Sequence, residues 1–282
     1  MNVDVRVLSR DTRVACVIGS PARHSLSPAI HNAAFAAAGV DASYIAIEIP
    51  SEEFAPTIRA LVDVGFLGAS ITMPYKEIAF AHCATVGETA RRLGSLNTLV
   101  NTASGIHGDS TDGQGCVGAL RSVGADPRGL RIAVLGAGAT ARACIVALAD
   151  AGAADVVVIN RTEDRARQAA SLAVGIARTG GQSSIPSCDV IVNTTPAGMT
   201  DNHDRVFDHS LIAKKHVVLD AVYQPLETDL LASARSVGAT CVDGLWMLVH
   251  QAVAQQVLWT GSSPEPQVLR DAAERELRRR HG

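Results

Sequence analysis

The fold is decided by residues 131–141, which read RIAVLGAGATA. The first five are an apolar run typical of a strand buried on both faces, and the Ala-rich stretch after them is typical of a helix. The order strand, Gly-x-Gly-x-x-Ala, helix is the context of a dinucleotide-binding fingerprint. In this interpretation Gly136 makes the tight turn, Gly138 admits a pyrophosphate at the helix N-terminus, and Ala141 keeps the helix close to the strand. The alternative is an ordinary turn, and we favour the cofactor site because both flanking elements are present.

The end of the next apolar run indicates which dinucleotide binds. An NAD site usually carries Asp or Glu there, which accepts hydrogen bonds from the ribose hydroxyls. This chain has Asn160, Arg161 and Thr162 after the run at 155–159, with Arg165 one turn later. Because guanidinium groups hold a phosphate bidentately, the sequence predicts NADP. The alternative is that both arginines merely face solvent at the start of a helix.

Composition excludes several classes of protein. The 282 residues are 47% hydrophobic and carry a net charge of −3, too small to imply binding to nucleic acid or membranes through bulk electrostatics. No apolar run reaches the length of a membrane span, and residues 1–4 do not resemble a signal peptide. The six cysteines are scattered and no cluster has metal-ligand spacing, so we expect reduced thiols, no metal and a cytoplasmic protein.

The rest of the chain alternates predicted strands and helices. Up to residue 123 this alternation predicts a mixed or parallel sheet covered by helices, including helices to about Cys83 and over 86–93. A Gly- and Pro-bearing linker follows at 124–129. Beyond the two strands around the fingerprint, apolar runs predict three more strands of a second sheet and two C-terminal helices; they lie at 189–193, 216–222, 240–242, 246–258 and 264–280.

Lys76 is the first candidate for proton transfer. The chain contains only three lysines, and Lys76 alone follows a strand, where α/β proteins place ligand sites. A desolvated Lys can release its proton, whereas Arg cannot. Asp112 opens a predicted helix, a position that favours its charged form, and would orient Lys76. The alternatives are an ordinary surface Lys and an Asp that only caps its helix.

Ser25 and Ser27 form a candidate anion site. The pattern Ser-Leu-Ser-Pro predicts a helix start with Ser27 at the N-cap and Pro28 in the first turn. Two hydroxyls at a helix N-terminus suit a carboxylate. Capping by Ser27 alone is the alternative.

Nine short motifs in order resemble the shikimate dehydrogenase family and extend over nearly the whole chain. They are SLSPAIHN (25–32), TMPYK (72–76), NTL (97–99), TDG (111–113), GAGA (136–139), NRT (160–162), NTTPAGM (193–199), YQP (223–225) and GLWMLVHQ (244–251). The resemblance implies NADP-dependent, reversible reduction of 3-dehydroshikimate to shikimate, in the route to aromatic amino acids. It also implies an α/β protein with a substrate-binding domain at 1–123 and 245–282, and a Rossmann domain at 124–244. The C-terminal helices would return to the first domain.

The same resemblance implies roles for individual residues. The catalytic residues would be Lys76 and Asp112. The substrate carboxylate would be bound by Ser25, Ser27 and Tyr223, and the ring hydroxyls by Thr72, Asn97 and Gln251. NADP binding falls to Gly136, Gly138, Ala139, Asn160, Arg161, Thr162 and Arg165, with Thr194, Gly244 and Met247 near the nicotinamide.

Three positions depart from the family pattern. Ser70 and Ser110 stand where the family usually has Asn, and Trp246 stands where the residue is often small. The family also contains enzymes for quinate, related cyclitols and aminoshikimate, so such an enzyme is one alternative, and a non-catalytic NADP sensor is a second. The small-molecule substrate is the expected partner, and an exposed sheet edge or the terminal helix would suit a homodimer.

Overall fold

Two six-stranded sheets organise the molecule, in a computed structural model that describes residues 8–200, 202 and 204–281. Helices cover both sheets, which confirms the α/β prediction. Residues 1–4, for which the sequence predicted no signal peptide, lie outside the described residues. No helix formed by the described residues is long and apolar enough to cross a membrane.

The first sheet is mixed. Its strands are β1 (Arg13–Gly19), β2 (Ala42–Glu48), β3 (Gly68–Ile71), β4 (Thr85–Val86), β5 (Thr98–Thr102) and β6 (Gly105–Asp109). They lie in the order β2-β1-β3-β5-β6-β4, with β1 parallel to β2 and β3, and β5 antiparallel to β3 and β6. The helices of this half are α1 (Ser27–Ala37), α2 (Phe54–Asp63), α3 (Glu88–Leu93) and α4 (Asp112–Ser122).

The second sheet is parallel throughout. Its strands are β7 (Arg131–Leu135), β8 (Asp155–Ile159), β9 (Ala177–Thr179), β10 (Val190–Asn193), β11 (Val217–Asp220) and β12 (Thr240–Val242), in the order β12-β11-β10-β7-β8-β9. The helices are α5 (Ala139–Asp150), α6 (Glu163–Ala170) and α7 (Asp229–Ser236). The sequence missed β9 because this edge strand is short and only partly buried, so it has no apolar run.

The segment after Lys76 departs from the prediction. Instead of a helix to Cys83 there is a short 3-10 helix, Ile78–His82, and Cys83 is extended. The predicted helix over 86–93 begins only at Glu88, because Thr85 and Val86 pair with β6 as β4. β-Branched side chains favour this extended conformation over a helical one.

Two C-terminal helices lie on the first half of the molecule. They are α8 (Gly244–Thr260) and α9 (Pro266–His281). Leu245 and Leu269 from these helices share a buried cluster with Leu26 and Ile30 at the start of α1. The indole of Trp259 donates to the carbonyl of Leu99 in β5 at 2.9 Å.

Helix α4 is packed tightly between α5 and α8. A Cβ atom on Gly113 would lie 2.5 Å from the carbonyl oxygen of Ala143 in α5, and one on Gly115 would lie 2.6 Å from that of Met247 in α8. Both helix contacts are this close only because residues 113 and 115 are glycines, since a side chain at either position would collide with a backbone oxygen. This packing places Asp112, the first residue of α4, where the two sheets and their helices meet.

Candidate active site

Lys76 and Asp112 form a largely buried ion pair. The Nζ atom of Lys76, in the loop after β3, donates to Oδ2 of Asp112, and the two side chains are only 15% and 13% exposed. The carboxylate sits at the N-terminus of α4, where the helix dipole favours negative charge. The carboxylate that the sequence predicted beside Lys76 is therefore present.

Two buried amides complete this cluster. Asn97, immediately before β5, donates from Nδ2 to Oδ1 of Asp112 at 2.7 Å and to Oε1 of Gln251 in α8 at 3.2 Å. The backbone N–H of Leu96 donates to the carbonyl of Lys76 at 2.9 Å, which holds the two segments together. Hydrogen bonds to an ionised group stabilise its charge, so Asp112 is well suited to hold an ammonium group.

Thr72 lies at the same strand end but outside this hydrogen-bonded cluster. It is half-buried, and its N–H donates to the carbonyl of Ile18 at 3.0 Å. Its methyl group fills the space beside Gly19, where a Cβ atom would lie 2.2 Å away. Within the described part of the chain, its hydroxyl has no hydrogen-bond partner.

The segment with Ser25 and Ser27 begins α1 in a way that the sequence did not predict. The prediction that Ser27 is the N-cap is wrong: α1 begins at Ser27, and Leu26 occupies the cap position with helical backbone angles. The hydroxyl of Ser25 accepts the N–H of Ser27 at 3.1 Å. Ser25 therefore satisfies a free N–H group, and Ser27 has a hydroxyl that is not used for capping.

A C-terminal arginine and a tyrosine flank this segment. The guanidinium of Arg280 donates to the carbonyls of His24 and Ser25 at 2.7 and 3.0 Å. Tyr223 packs on the cluster that contains Leu26. Burial raises the pKa of Tyr223 above its ordinary value, and the positive charge of Arg280 partly opposes this rise. The charge of Arg280 therefore acts on the Tyr223 hydroxyl.

The glycine-rich loop leaves space in front of α5. Gly136 has φ +108°, and a Cβ atom there would lie 2.8 Å from Oγ1 of Thr194. A Cβ atom on Gly138, the extended N-cap residue, would meet no atom within 4 Å. Ala139 is the first residue of α5. The N-terminus of a helix favours an anion, and glycine leaves room for one to approach the backbone at this helix start.

Two exposed arginines lie beyond the neighbouring strand end. Arg161, Thr162 and Arg165 are exposed after β8, and Asn160 donates to the carbonyl of Thr162 at 2.9 Å. Among residues 8–200, 202 and 204–281, neither of these arginines has an ion-pair partner, whereas Arg167 approaches Glu163 and Asp164 to 3.3 Å. Their charge is available to an anion.

Two of the three remaining predicted cofactor residues, Thr194 and Gly244, lie at the ends of β10 and β11. Thr194 donates from Oγ1 to the carbonyl of Leu135 at 2.7 Å. Gly244 begins α8, and a Cβ atom there would lie 2.4 Å from the carbonyl oxygen of Ala221. Met247 is buried in the core of the second sheet.

Comparisons with known proteins identify the family of this chain. Residues 17–99 match the family model of the shikimate dehydrogenase substrate binding domain, residues 119–218 that of shikimate / quinate 5-dehydrogenase, and residues 244–274 that of the shikimate 5'-dehydrogenase C-terminal domain. Shikimate dehydrogenase (NADP(+)) of Acidiphilium cryptum is 42% identical over 267 residues, which cover 92% of this chain and 94% of that protein. The chain belongs to the shikimate dehydrogenase family.

Solved structures of the family have the same fold. Shikimate 5-dehydrogenase from Thermus thermophilus, in complex with NADP(H) and shikimate, has a TM-score of 0.87 and 34% identity, covering 93% of this chain and 99% of that one. Quinate dehydrogenase from Corynebacterium glutamicum, in complex with NAD, has a TM-score of 0.85 and 31% identity, covering 93% and 98%.

Two of the departures from the family pattern have a structural explanation. Ser70 accepts the Tyr44 hydroxyl at 2.6 Å and donates to Oε1 of Gln255 at 2.9 Å. Trp246 lies under the guanidinium of Arg270, at 4.5 Å from the ring centroid. That guanidinium also holds both oxygens of Asp243, the N-cap of α8, at 2.9 Å. Trp246 therefore belongs to the contact between α8 and α9.

The third departure, Ser110, is buried just before α4. Its N–H donates to Oδ1 of Asp109 at 2.7 Å.

No group of three His, Cys, Asp or Glu side chains that could hold a metal ion was found in the described ranges.

Gln255 is a polar residue near the site that the sequence reasoning missed. It is fully buried in α8 and bonds to Ser70, Thr98 and the carbonyl of Asn97. Its i, i+4 spacing from Gln251 was the one available signal, since that spacing puts both amides on one helix face.

Proposed function

We propose that this chain is an NADP-dependent shikimate dehydrogenase, which reversibly reduces 3-dehydroshikimate to shikimate in aromatic amino acid and chorismate biosynthesis. The observation that carries this proposal is the buried Lys76–Asp112 pair, bonded to Asn97 at the meeting point of the two sheets. The relatives named for the same activity support it.

The substrate would lie between the Ser25 segment and the Lys76 cluster. Ser25, Ser27 and Tyr223 bind its carboxylate, and the nearby Arg280 charge supports an anionic group there. Thr72, Asn97 and Gln251 bind its ring hydroxyls. Asn97 and Gln251 are buried and already share a hydrogen bond, so their amides are held in place before substrate binds.

The chain itself supplies the proton. Lys76, as ammonium, donates a proton to the oxygen of the ketone as that oxygen becomes an alkoxide, and in the reverse direction neutral Lys76 accepts the hydroxyl proton. Asp112 holds Lys76 in position, and Asn97 holds Asp112. The nicotinamide cofactor, when bound, supplies or accepts the hydride.

The cofactor residues fit NADP. Gly136, Gly138 and Ala139 would bind the pyrophosphate, where glycine leaves open space before α5. Asn160, Arg161, Thr162 and Arg165 would bind the 2′-phosphate, and Thr194, Gly244 and Met247 would lie near the nicotinamide. The guanidinium groups of Arg161 and Arg165, which have no ion-pair partner among the described residues, support this choice over NAD.

The domain bounds, compartment and assembly belong to the same proposal. The substrate-binding domain comprises 1–123 and 245–282, and the Rossmann domain 124–244, in keeping with the two sheets and with the packing of α8 and α9. A cytoplasmic location is supported by six free cysteines. A homodimer stays a prediction.

A quinate dehydrogenase is the second candidate, because one family model and one structural relative carry that name. A sensor without catalysis is less well supported, since it has no need of a proton-transfer pair. Steady-state kcat/KM with shikimate and quinate, each with NADP and NAD, separates these candidates. We expect the highest value for shikimate with NADP. A higher value for quinate, or no turnover with either acid, would contradict the proposal.

Arg161→Ser tests the cofactor assignment. A charge-assisted hydrogen bond contributes about 1.5–3 kcal/mol, so kcat/KM for NADP should fall by roughly ten- to over a hundredfold at about 1.4 kcal/mol per decade. The value for NAD should hardly change. Arg167→Ser is the matched control, because Arg167 lies six residues later, inside α6, and is paired with Glu163 and Asp164. Unchanged discrimination in Arg161→Ser would remove this residue from the phosphate site.

A further inference from the structure

A line of buried side chains, joined to one another by hydrogen bonds, leads to Asn97 in the proposed site. Its members are at most 7% exposed and come from β2, β3, α8 and the start of β5: Tyr44, Ser70, Gln255, Thr98 and Asn97. The Tyr44 hydroxyl bonds to Ser70 at 2.6 Å, Ser70 to Oε1 of Gln255 at 2.9 Å, Nε2 of Gln255 to Thr98 at 3.0 Å, and Thr98 to Oδ1 of Asn97 at 2.9 Å.

The direction of these bonds is set where Gln255 meets the backbone: its Nε2 donates to the carbonyl of Asn97, so its Oε1 faces Ser70 and accepts. Burial raises the pKa of Tyr44 well above its ordinary value, so the phenol stays protonated, and its hydroxyl donates to Ser70. A serine hydroxyl has a single hydrogen. Because Ser70 accepts from Tyr44, it gives its own hydrogen to Oε1 of Gln255. The amide of Gln255 is thereby turned with its NH₂ group toward Thr98.

The same reasoning continues to Asn97. Thr98 accepts from Nε2 of Gln255 and therefore gives its hydrogen to Oδ1 of Asn97. The backbone N–H of Thr111 also donates to this oxygen, at 2.8 Å. With Oδ1 occupied by donors, Nδ2 of Asn97 faces Asp112 and Gln251. Gln255 also donates to the backbone carbonyl of Asn97 at 3.3 Å.

We propose that Gln255 is a positioning residue for the reaction: through Thr98 it fixes the amide orientation of Asn97, and through Asn97 it holds Asp112 against Lys76. This inference rests on the proposed function. Gln255 has no role in contact with substrate. An Asn97 amide turned over would set its oxygen against the carboxylate, and two acceptors repel each other. Ser70, where the family usually has Asn, supplies the hydroxyl that orients Gln255.

Gln255→Met removes both amide groups and keeps the side-chain volume. We expect kcat for shikimate oxidation to fall roughly three- to thirtyfold, about 0.6–2 kcal/mol at 1.36 kcal/mol per factor of ten, with KM for NADP unchanged. The loss is limited because the Thr111 N–H still binds Asn97. Gln256→Met is the matched control: Gln256 is adjacent and equally buried, but it bonds to His31, and kcat should stay near wild type.

A double-mutant cycle separates positioning from general destabilisation. If Gln255 acts through Asn97, Gln255→Met should have little further effect on kcat once Asn97→Ala is present. Additive effects, or a kcat of Gln255→Met equal to that of Gln256→Met, would overturn the inference. Thr98→Val breaks the same line at its next member and decides the question if Gln255→Met does not fold. A Lys76→Ala enzyme with normal turnover would contradict the proposed function itself, so the two failures are distinguishable.

Discussion

At the scale of single residues, the hydroxyls of Ser25 and Ser27 have different roles at the start of α1. Ser25 accepts the first free N–H of α1, while the hydroxyl of Ser27 is left for other partners. Arg280 donates to the backbone carbonyls of His24 and Ser25 in the same segment. Substitutions of the two serines should therefore differ in their effect on stability while sharing an effect on substrate binding.

Ser25→Ala and Ser27→Ala should both raise KM for shikimate more than they lower kcat, because a remote carboxylate is held similarly in ground and transition states. Ser25→Ala should also cost about 0.5–2 kcal/mol of unfolding free energy through its lost cap, and Ser27→Ala should cost less. Steady-state kinetics and urea unfolding check both points. Unchanged KM in both variants would exclude these hydroxyls from the site, and a larger stability loss for Ser27→Ala would contradict the capping assignment.

Some of these residues are predictable from local sequence and others are not. Lys76 and Asp112 stand at a strand end and a helix start, positions whose chemistry is local. Asn97 and Gln251 meet across 154 residues of sequence, and only the family resemblance brought them together. Ser27 was misassigned because Leu26 takes up helical angles that no residue preference indicates.

At the scale of elements, the loop between β7 and α5 uses its two glycines differently. Gly136 needs glycine for its own backbone conformation and for the close approach of Thr194. Gly138 has ordinary extended angles and open space around it. The fold therefore does not require glycine at residue 138, whereas a bound pyrophosphate would.

Gly138→Ala should raise KM for NADP and leave the Tm close to that of wild type, since the added methyl group meets no protein atom. Gly136→Ala should lower Tm, because φ +108° strains a residue with a side chain. Thermal unfolding and NADP titration check the pair. A Gly138→Ala enzyme with wild-type affinity for NADP would show that the cofactor does not approach this backbone.

Two short strands that the sequence analysis did not predict, β4 and β9, have no periodic pattern. Strands β7, β8 and β10 are buried apolar runs, and their existence was evident. The edge strand β9 and the short strand β4 gain their structure from pairing with β8 and β6. Pairing with a distant strand leaves no local signal in a segment of two or three residues.

At the scale of the whole molecule, the C-terminal helices α8 and α9 pack against the first half of the chain, which is distant in sequence. The indole of Trp259 in α8 donates to the carbonyl of Leu99, 160 residues earlier, and its ring lies tilted against those of His31 and Tyr44. No local pattern predicts such a contact, although the family resemblance implied that the C-terminal helices return to the first domain. His31, at the centre of this packing, is buried and stacked on Tyr44 at 4.4 Å.

The stability of the whole chain should fall in mild acid because of His31. Burial lowers the pKa of His31 to about 3. Its value is about 6.5 in the unfolded chain. Below pH 6.5 the unfolded state therefore takes up a proton that the folded state refuses, and the unfolding free energy decreases as the pH falls toward 3.

Between pH 7 and 5 this one group should contribute a loss of about 2 kcal/mol. His31→Asn removes the titration and keeps an acceptor for Gln256. Urea unfolding at both pH values should show a pH dependence smaller by that amount in the variant. The other buried histidines are present in both proteins and cancel. Equal pH dependence would contradict the assignment to His31.

Turnover of a Lys76→Ala enzyme tests the central claim most directly. The claim is that Lys76, held by Asp112, moves the proton in an NADP-dependent oxidation of shikimate. Losing a positioned acid–base group should lower kcat by roughly 10²–10⁴-fold, with a much smaller change in KM for shikimate. Lys215→Ala, an exposed lysine bonded only to the carbonyl of Pro186 within the described residues, should behave as wild type. Near wild-type kcat in Lys76→Ala would contradict the account.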